Sequence, residues 1–172
     1  MANRTARCCC GDFSITVSGE PHYVHRCHCD YCQRRTGSVF QVSCWFSPEQ
    51  IVSRTGAYRV YETSPNLEST NAQSDSVSIE APAIQYKFCT RCGSTVYWDI
   101  PMAPGVFGPE ATVATAIAVG SFYDARFPAP VEDHYVVDRH HWIPPIEGAV
   151  AYEKLPPPQS TLTGEALESQ RG

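Results

Sequence analysis

The most informative part of the sequence is R-C-H-C-D-Y-C-Q-R-R-T-G-S at residues 26–38. It places Cys27, Cys29 and Cys32 in a C-x-C-x-x-C pattern, a spacing typical of zinc ligands. Structural zinc sites are closed by four protein ligands, whereas catalytic sites keep three and leave one position open. This central cluster therefore indicates a metal site with an open position.

Two more cysteine clusters lie on either side of the central one. Cys8 and Cys10 form C-x-C, and Cys89 and Cys92 form C-x-x-C followed by glycine. Together they supply the four thiolates of a closed site, which would tie the N-terminal part of the chain to a mid-chain hairpin. Because a C-x-C pair on a straight strand would point to opposite faces, we expect a bend here, which Gly11 permits.

Other interpretations of these clusters stay open at this stage. The outer clusters are also consistent with two unrelated buried cysteine pairs, or with an iron site of four thiolates. The central cluster is also consistent with a closed structural zinc site in which His28 or His25 is the fourth ligand. Three thiolates on Zn²⁺ leave one net negative charge, which Arg34 and Arg35 are placed to offset unless they are solvated surface charges.

The remaining cysteines and the late histidines are expected to play no part in metal binding. Cys9 lies between two proposed ligands and should point away from their metal. Cys44 lies in an apolar segment, which predicts a buried, inert thiol. His140 and His141 follow one another in a late loop and are expected to be polar surface.

Composition excludes several classes of protein. The 172 residues fit one domain, and the net charge of -5 argues against a nucleic-acid surface. No apolar run is long enough for a membrane span, and residues 1–7 lack the apolar stretch of a signal peptide. We therefore expect a cytoplasmic protein, in which the odd number of nine cysteines serves metal binding rather than disulfides.

The hydrophobic pattern predicts a mainly β fold. Phe13, Ile15 and Val17 alternate along one predicted strand and should share a buried face. The predicted strands and extended segments are residues 12–18, 23–26, 38–46, 58–62, 84–88, 94–100, 111–119 and 135–138. Helix is limited to turns at 33–36 and 109–111. Residues 64–83 are predicted to form a surface loop, residues 101–109 to be irregular, and the chain from 156 onward to be a disordered tail.

Taken in order, these motifs resemble the glutathione-dependent formaldehyde-activating enzyme family, which also includes centromere protein V. The resemblance rests on R-C-C-C-G at 7–11, on the 26–38 stretch and on F-C-T-R-C-G-S at 88–94, with a weaker match in D-H-Y-V-V-D-R-H-H-W at 133–142. It covers residues 5–150, which we take as the domain, and leaves 156–172 as the tail. The long 64–83 segment, Cys9 and the tail depart from the family pattern.

The resemblance implies a zinc-stapled, β-tent-like fold of short antiparallel sheets with two zinc ions per chain. It assigns Cys8, Cys10, Cys89 and Cys92 to a structural zinc and Cys27, Cys29 and Cys32 to a catalytic zinc.

The implied activity is that of a carbon-sulfur lyase. The enzyme would join the thiol of glutathione, or a similar small thiol, to an aldehyde such as formaldehyde, or catalyse the reverse cleavage. His28, Asp30 and Tyr31 are the nearest candidates in sequence for a general acid, and the residues assign this role to none of them. The alternative is a non-catalytic zinc module that binds a protein or another ligand.

Overall fold

The computed structural model describes residues 2–63, 83–101 and 112–156. These residues form two β-sheets and one short helix. The strands are β1 (Asn3–Arg7), β2 (Ser14–Ser18), β3 (Tyr23–Cys27), β4 (Gln41–Phe46), β5 (Ile51–Thr55), β6 (Tyr58–Glu62), β7 (Gln85–Cys89), β8 (Thr95–Pro101), β9 (Val113–Ala118), β10 (Glu132–His134) and β11 (Val150–Tyr152), and the helix is α1 (Asp30–Thr36).

The smaller sheet has three strands in the order β1-β2-β5, and the larger has eight in the order β11-β10-β3-β4-β9-β8-β7-β6. Most neighbours are antiparallel, as expected. The exception is β10, which pairs in parallel with both β3 and β11. This topology sets the position of the central cluster, because β3 lies inside the large sheet and ends at Cys27.

The main core brings together inward-facing residues of both sheets. Phe13, Ile15 and Val17 are fully buried, which confirms the predicted alternation along the second strand. They pack in one cluster with residues of the large sheet, including Phe46 and Tyr97. Removing this apolar surface from water is the main driving force for joining the sheets.

The sequence prediction found seven of the eleven strands, missed β1, β5, β10 and β11, and was wrong about two further segments. Residues 33–36 were predicted as a turn, but the helix begins at Asp30, with Cys29 as its N-cap and Gly37 closing it. Residues 135–138 were predicted as extended, but Tyr135 adopts a left-handed φ of 56° and a 3₁₀ turn covers Val136–Asp138.

Some predictions concern residues outside the described ranges. The 64–83 loop, apart from its last residue, the irregular 101–109 segment, apart from its first residue, the 109–111 turn and the tail after residue 156 lie there and stay predictions. Among the described residues, the one α-helix has seven residues and is far too short to cross a membrane.

Candidate metal centres

The four outer cysteines meet where two tight turns face each other. Cys8 and Cys10 lie in the turn after β1, and Cys89 and Cys92 lie in the turn between β7 and β8. Their four Sγ atoms lie within 4.8 Å of one another. The bend expected at Gly11 is present, since this glycine has a left-handed φ of 83° and donates its N–H to the Cys8 carbonyl.

The spacing of these sulfurs fits a tetrahedral metal. Cys10 Sγ lies 3.5 Å from Cys8 Sγ and 3.6 Å from Cys89 Sγ. A zinc–sulfur bond of about 2.3 Å implies a sulfur–sulfur separation of about 3.8 Å in a tetrahedron. Backbone N–H groups also point at the sulfurs, from Phe13 to Cys8 Sγ at 3.2 Å and from Arg91 to Cys89 Sγ at 3.4 Å. Such donors favour the thiolate form that a metal requires.

Cys9 takes no part in this group. It is exposed, and its backbone N–H donates to the Ser94 hydroxyl. Cys44, by contrast, is fully buried in the core, as predicted. All nine cysteines are free thiols.

The three central cysteines converge because a strand, a turn and a helix follow one another within six residues. Cys27 ends β3, Cys29 caps α1, and Cys32 lies in the first turn of the helix. Their Sγ atoms also lie within 4.8 Å of one another, and the Cys32 N–H donates to Cys29 Sγ at 3.4 Å. This arrangement fits three ligands of one metal ion.

Neither histidine proposed as a fourth ligand joins this cluster. His28 is fully buried, and its Nε2 lies 3.0 Å from Asp133 Oδ1. His25 turns its Nε2 toward the Ser43 hydroxyl at 3.2 Å. Within residues 2–63, 83–101 and 112–156, no histidine, acidic residue or further cysteine brings a ligand atom within 4.8 Å of all three sulfurs.

The thiols of the central cluster hydrogen-bond to one another and divide the charge unequally. Hydrogen bonds from Cys27 and Cys32 lower the pKa of Cys29 to about 3. The hydrogen bond to Cys29 is the main cause that raises the pKa of Cys27 well above its usual value. The three thiols therefore titrate as one coupled group, and the hydrogen bonds favour the thiolate at Cys29.

The cluster forms part of the wall of a cavity of about 350 Å³. The polar groups close to the cluster along the strands are His25, Gln41, Ser43 and His134. Apolar and aromatic side chains form most of the rest of the wall, namely Trp45, Ile84, Tyr86, Trp98 and Ile100, with Leu155 from the C-terminal side. Asp30, Tyr31, Arg34 and Tyr135 complete it. The three sulfurs thus face a space large enough for a small ligand.

A family model described as glutathione-dependent formaldehyde-activating enzyme matches residues 3–138. The chain belongs to this family. No curated protein matches it. Among solved structures, a Rhodobacter sphaeroides protein from a structural genomics programme is similar at 19% identity with a TM-score of 0.41, over 68% of this chain and 85% of that chain.

In this member of the formaldehyde-activating enzyme family, the two arginines after the cluster have different environments. Arg34 is mostly exposed, with 67% of its side chain accessible, and pairs with Asp30 at 3.6 Å. The Arg35 guanidinium lies 4.3 Å from the ring centre of Tyr86 and 4.9 Å from that of Trp98. Arg35 also lies within electrostatic reach of Cys32. Of the two, Arg35 is placed to offset charge at the cluster.

The three candidates for a general acid, His28, Asp30 and Tyr31, differ in whether they line the cavity. Asp30 and Tyr31 line the cavity, and burial raises the pKa of the Tyr31 hydroxyl. His28 does not line it, because its side chain points to the opposite side of the chain and binds Asp133.

Sequence reasoning missed several cavity residues of this family member. His25 was named only as a possible fourth metal ligand, although it lies two residues before Cys27 on β3 and strand alternation places both on one face. His134 lies in β10, a strand that the sequence analysis did not predict. Gln41 and Ser43 gave no signal by themselves, because their place beside the cluster depends on the β3–β4 pairing.

A buried polar network supports the histidine side of the cavity. The Tyr23 hydroxyl donates to Glu132 Oε2 at 2.6 Å and lies 2.7 Å from His134 Nε2. The rings of His25 and His134 stack, with centres 4.7 Å apart. Burial, and the charge that His134 can carry, lower the pKa of His25 well below 6.5, so this ring is neutral in the folded protein. The network holds both rings in fixed orientations.

Proposed function

We propose that the protein is a zinc-dependent carbon-sulfur lyase that adds a small thiol to an aldehyde, or cleaves the adduct in reverse. The observation that carries this proposal is the group of three convergent thiols, Cys27, Cys29 and Cys32, facing a cavity with no fourth ligand among the described residues. Three ligands with an open position are typical of catalytic rather than structural zinc. The family description names glutathione and formaldehyde, and we propose reactants of that class.

Cys27, Cys29 and Cys32 would hold the zinc of this site. When bound, zinc supplies a positive charge that lowers the pKa of a coordinated substrate thiol, so that the thiol reacts as thiolate. The thiolate attacks the aldehyde carbon, the sulfur–carbon bond forms, and the carbonyl oxygen takes up the proton that the thiol lost.

The protein's own groups would orient this addition. Gln41 and Ser43 lie on β4 opposite β3, with Gln41 paired to Cys27 itself, so their side chains can hydrogen-bond the carbonyl oxygen. Trp45 and Trp98 line the cavity and would shield the reacting atoms from water. Lower water access strengthens these polar contacts and suppresses loss of the adduct.

Cys8, Cys10, Cys89 and Cys92 would hold the second metal, a closed structural site. We propose zinc here as well, because four thiolates at tetrahedral spacing suit it. The reduced thiols that both sites need are maintained in the cytoplasm, where we place the protein.

The proposal is tested by the rate of adduct formation. Zinc-loaded protein is mixed with glutathione and formaldehyde, and exchange between free thiol and S-hydroxymethyl adduct is followed by NMR. We expect exchange well above the uncatalysed background, lost in Cys29→Ser and retained in Cys9→Ser, whose thiol lies outside both clusters. If thiols bind without accelerated exchange with any aldehyde, the non-catalytic zinc module becomes the better account.

A further inference from the structure

The Arg35 guanidinium carries two buried hydrogen-bond donors that find no acceptor. Its carbon lies 4.3 Å from the ring centre of Tyr86 and 4.9 Å from that of Trp98. Nε and Nη2 are both buried, and neither has a hydrogen-bond partner in the part of the chain that the structure describes. Because a buried donor without an acceptor costs its full desolvation, and a charged donor most of all, native proteins contain few such groups. These two atoms therefore point to an acceptor that a ligand supplies.

A second arginine of the same protein shows what such a pair of donors binds. In Arg26, Nε lies 2.9 Å from Oδ1 of Asp133, and Nη2 lies 2.6 Å from Oδ2. The N–H groups of these two nitrogens run parallel and match the two oxygens of a carboxylate. Arg35 therefore keeps available the donor pair that Arg26 uses. Arg34, which lines the cavity, already pairs with Asp30.

The helix places Arg35 between the central cluster and the aromatic part of the cavity wall. Arg35 follows Cys32 by three residues and Tyr31 by four, so these side chains share one face of α1. One helical turn advances about 5 Å along the axis, so a ligand bound at the sulfurs needs only a few bonds to reach the guanidinium. Tyr31, Tyr86 and Trp98 all line the cavity. The guanidinium thus lies directly behind these rings.

A carboxylate in the cavity meets the two donors after a turn of the Arg35 side chain. The surrounding protein covers both nitrogens, but several rotatable bonds allow the guanidinium to turn without a shift of the helix. The turn exchanges a cation–π contact for two charge-assisted hydrogen bonds, and the hydrogen bonds are the stronger interaction. The positive charge also attracts an anion into a cavity whose wall is largely apolar.

We propose that Arg35 determines the specificity of the cavity by binding a carboxylate of the thiol substrate. This inference rests on the proposed function, in which the sulfur of the substrate is bound at the three central cysteines. The substrate is then a thiol that bears a carboxylate, and the atoms between the sulfur and the carboxylate contact the rings of Tyr86 and Trp98. Glutathione and simpler mercapto acids belong to this class, whereas an uncharged thiol of the same size does not.

Calorimetric titration of the full-length, zinc-saturated protein tests this proposal. The probes are 6-mercaptohexanoate and its methyl ester, which differ by one charge, and each affinity is corrected for the thiolate fraction at the working pH. We expect the wild type to bind the anionic thiol at least tenfold more tightly than the ester. Equal binding of the two would overturn the inference and leave the proposed function intact. Binding of neither probe, and of no glutathione, would overturn the proposed function as well.

Three arginine variants separate pairing from charge, with bound zinc counted in each. Arg35→Gln removes the donor pair and the charge, Arg35→Lys keeps the charge without the parallel donors, and Arg4→Gln removes an arginine of the small sheet that contacts the Phe127 ring. We expect the preference for the anionic thiol to fall at least fivefold in Arg35→Gln and threefold in Arg35→Lys, and to stay unchanged in Arg4→Gln.

Two results would overturn the inference. Full preference in Arg35→Lys would show that charge alone selects the thiol. An equal loss of affinity for both probes in Arg35→Gln would show that Arg35 only balances the charge of the cluster. If Arg35→Gln fails to fold, Arg35→Lys carries the test.

Discussion

The Arg26 guanidinium and the Asp133 carboxylate form a bidentate ion pair between the parallel strands β3 and β10. Arg26 Nε lies 2.9 Å from Oδ1 and Nη2 lies 2.6 Å from Oδ2. Both side chains are buried, and His28 shares the same carboxylate. Because Arg26 directly precedes Cys27, this pair fixes the end of the strand that presents the first thiol of the central cluster.

Asp133→Asn should destabilise the protein strongly. The substitution leaves the buried Arg26 guanidinium without its counter-charge, a loss that costs roughly 3–5 kcal/mol in comparable pairs. Urea denaturation of the zinc-loaded protein measures the free energy of unfolding. The matched control is Glu20→Gln, which removes an exposed carboxylate paired with Arg4 and should have a much smaller effect. Similar losses in both variants would contradict a structural role for the buried pair.

Cys10→Ser and Cys89→Ser should each release one metal ion and destabilise the whole domain. Their site joins the turn after β1 to the β7–β8 turn, and structural zinc contributes on the order of 10 kcal/mol to the folding of small zinc peptides. Because the hydrophobic core of this domain is larger than that of a zinc peptide, we expect a smaller loss of folding free energy.

Metal content and thermal melting check this prediction. Cys9→Ser is the control, since its thiol lies outside the group. Full metal content and an unchanged melting temperature in Cys10→Ser would contradict the closed four-cysteine site. Metal analysis also distinguishes zinc from iron, which would colour the protein.

Arg35→Gln should weaken metal binding at the central cluster more than Arg34→Gln does. Arg35 lies against Tyr86 and Trp98 within electrostatic reach of Cys32, whereas Arg34 is mostly exposed and pairs with Asp30. Removing an outer-shell partner of a metal site lowers affinity roughly 10–100-fold. Competition with a zinc chelator measures the effect, and Arg35→Lys should recover part of it. Equal zinc affinities in the two glutamine variants would refute charge compensation by Arg35.

Stability should rise with pH up to about 6.5, in part because of His25. Burial and the charge that His134 can carry lower the pKa of His25 well below 6.5, so the folded protein keeps this ring neutral. Below pH 6.5 the unfolded chain takes up a proton that the folded chain does not, and folding becomes less favourable. One such group contributes a slope of at most about 1.4 kcal/mol per pH unit.

His25→Gln should flatten this slope. The variant keeps every thiol, so the difference between the two slopes reports the loss of the His25 imidazole together with its contact with the His134 ring. Urea denaturation between pH 5 and pH 7 with zinc in fixed excess gives both curves, and superimposable slopes would show that His25 does not contribute.

Local sequence signals predicted most of the strands and both cysteine groupings. The alternation of Phe13, Ile15 and Val17 indicates a strand with one buried face. The short cysteine spacings indicate turns that bring two sulfurs close together. The bend at Gly11 also follows from local geometry, because a C-x-C pair cannot share a metal on a straight strand.

The late part of the fold could not be predicted in this way. β10 consists of Glu132, Asp133 and His134, all buried, so hydrophobic alternation is absent from a strand that lies inside the large sheet. These polar residues are satisfied by Tyr23, Arg26 and their neighbours on β3, more than a hundred positions away. The same long-range pairing places His134 at the cavity, and no local sequence pattern predicts this position.

Cys27, Cys29 and Cys32 are proposed to form a metal site that is separate from the four-cysteine site and open to a thiol. The measurement is metal content per chain in wild type and Cys29→Ala, with phenylmethanethiol and glutathione titrated into both. We expect two zinc ions and thiol binding in the wild type, and one zinc ion, a largely retained fold and no thiol binding in Cys29→Ala. A wild type that binds neither thiol at any pH, or a Cys29→Ala protein that unfolds outright, would contradict it.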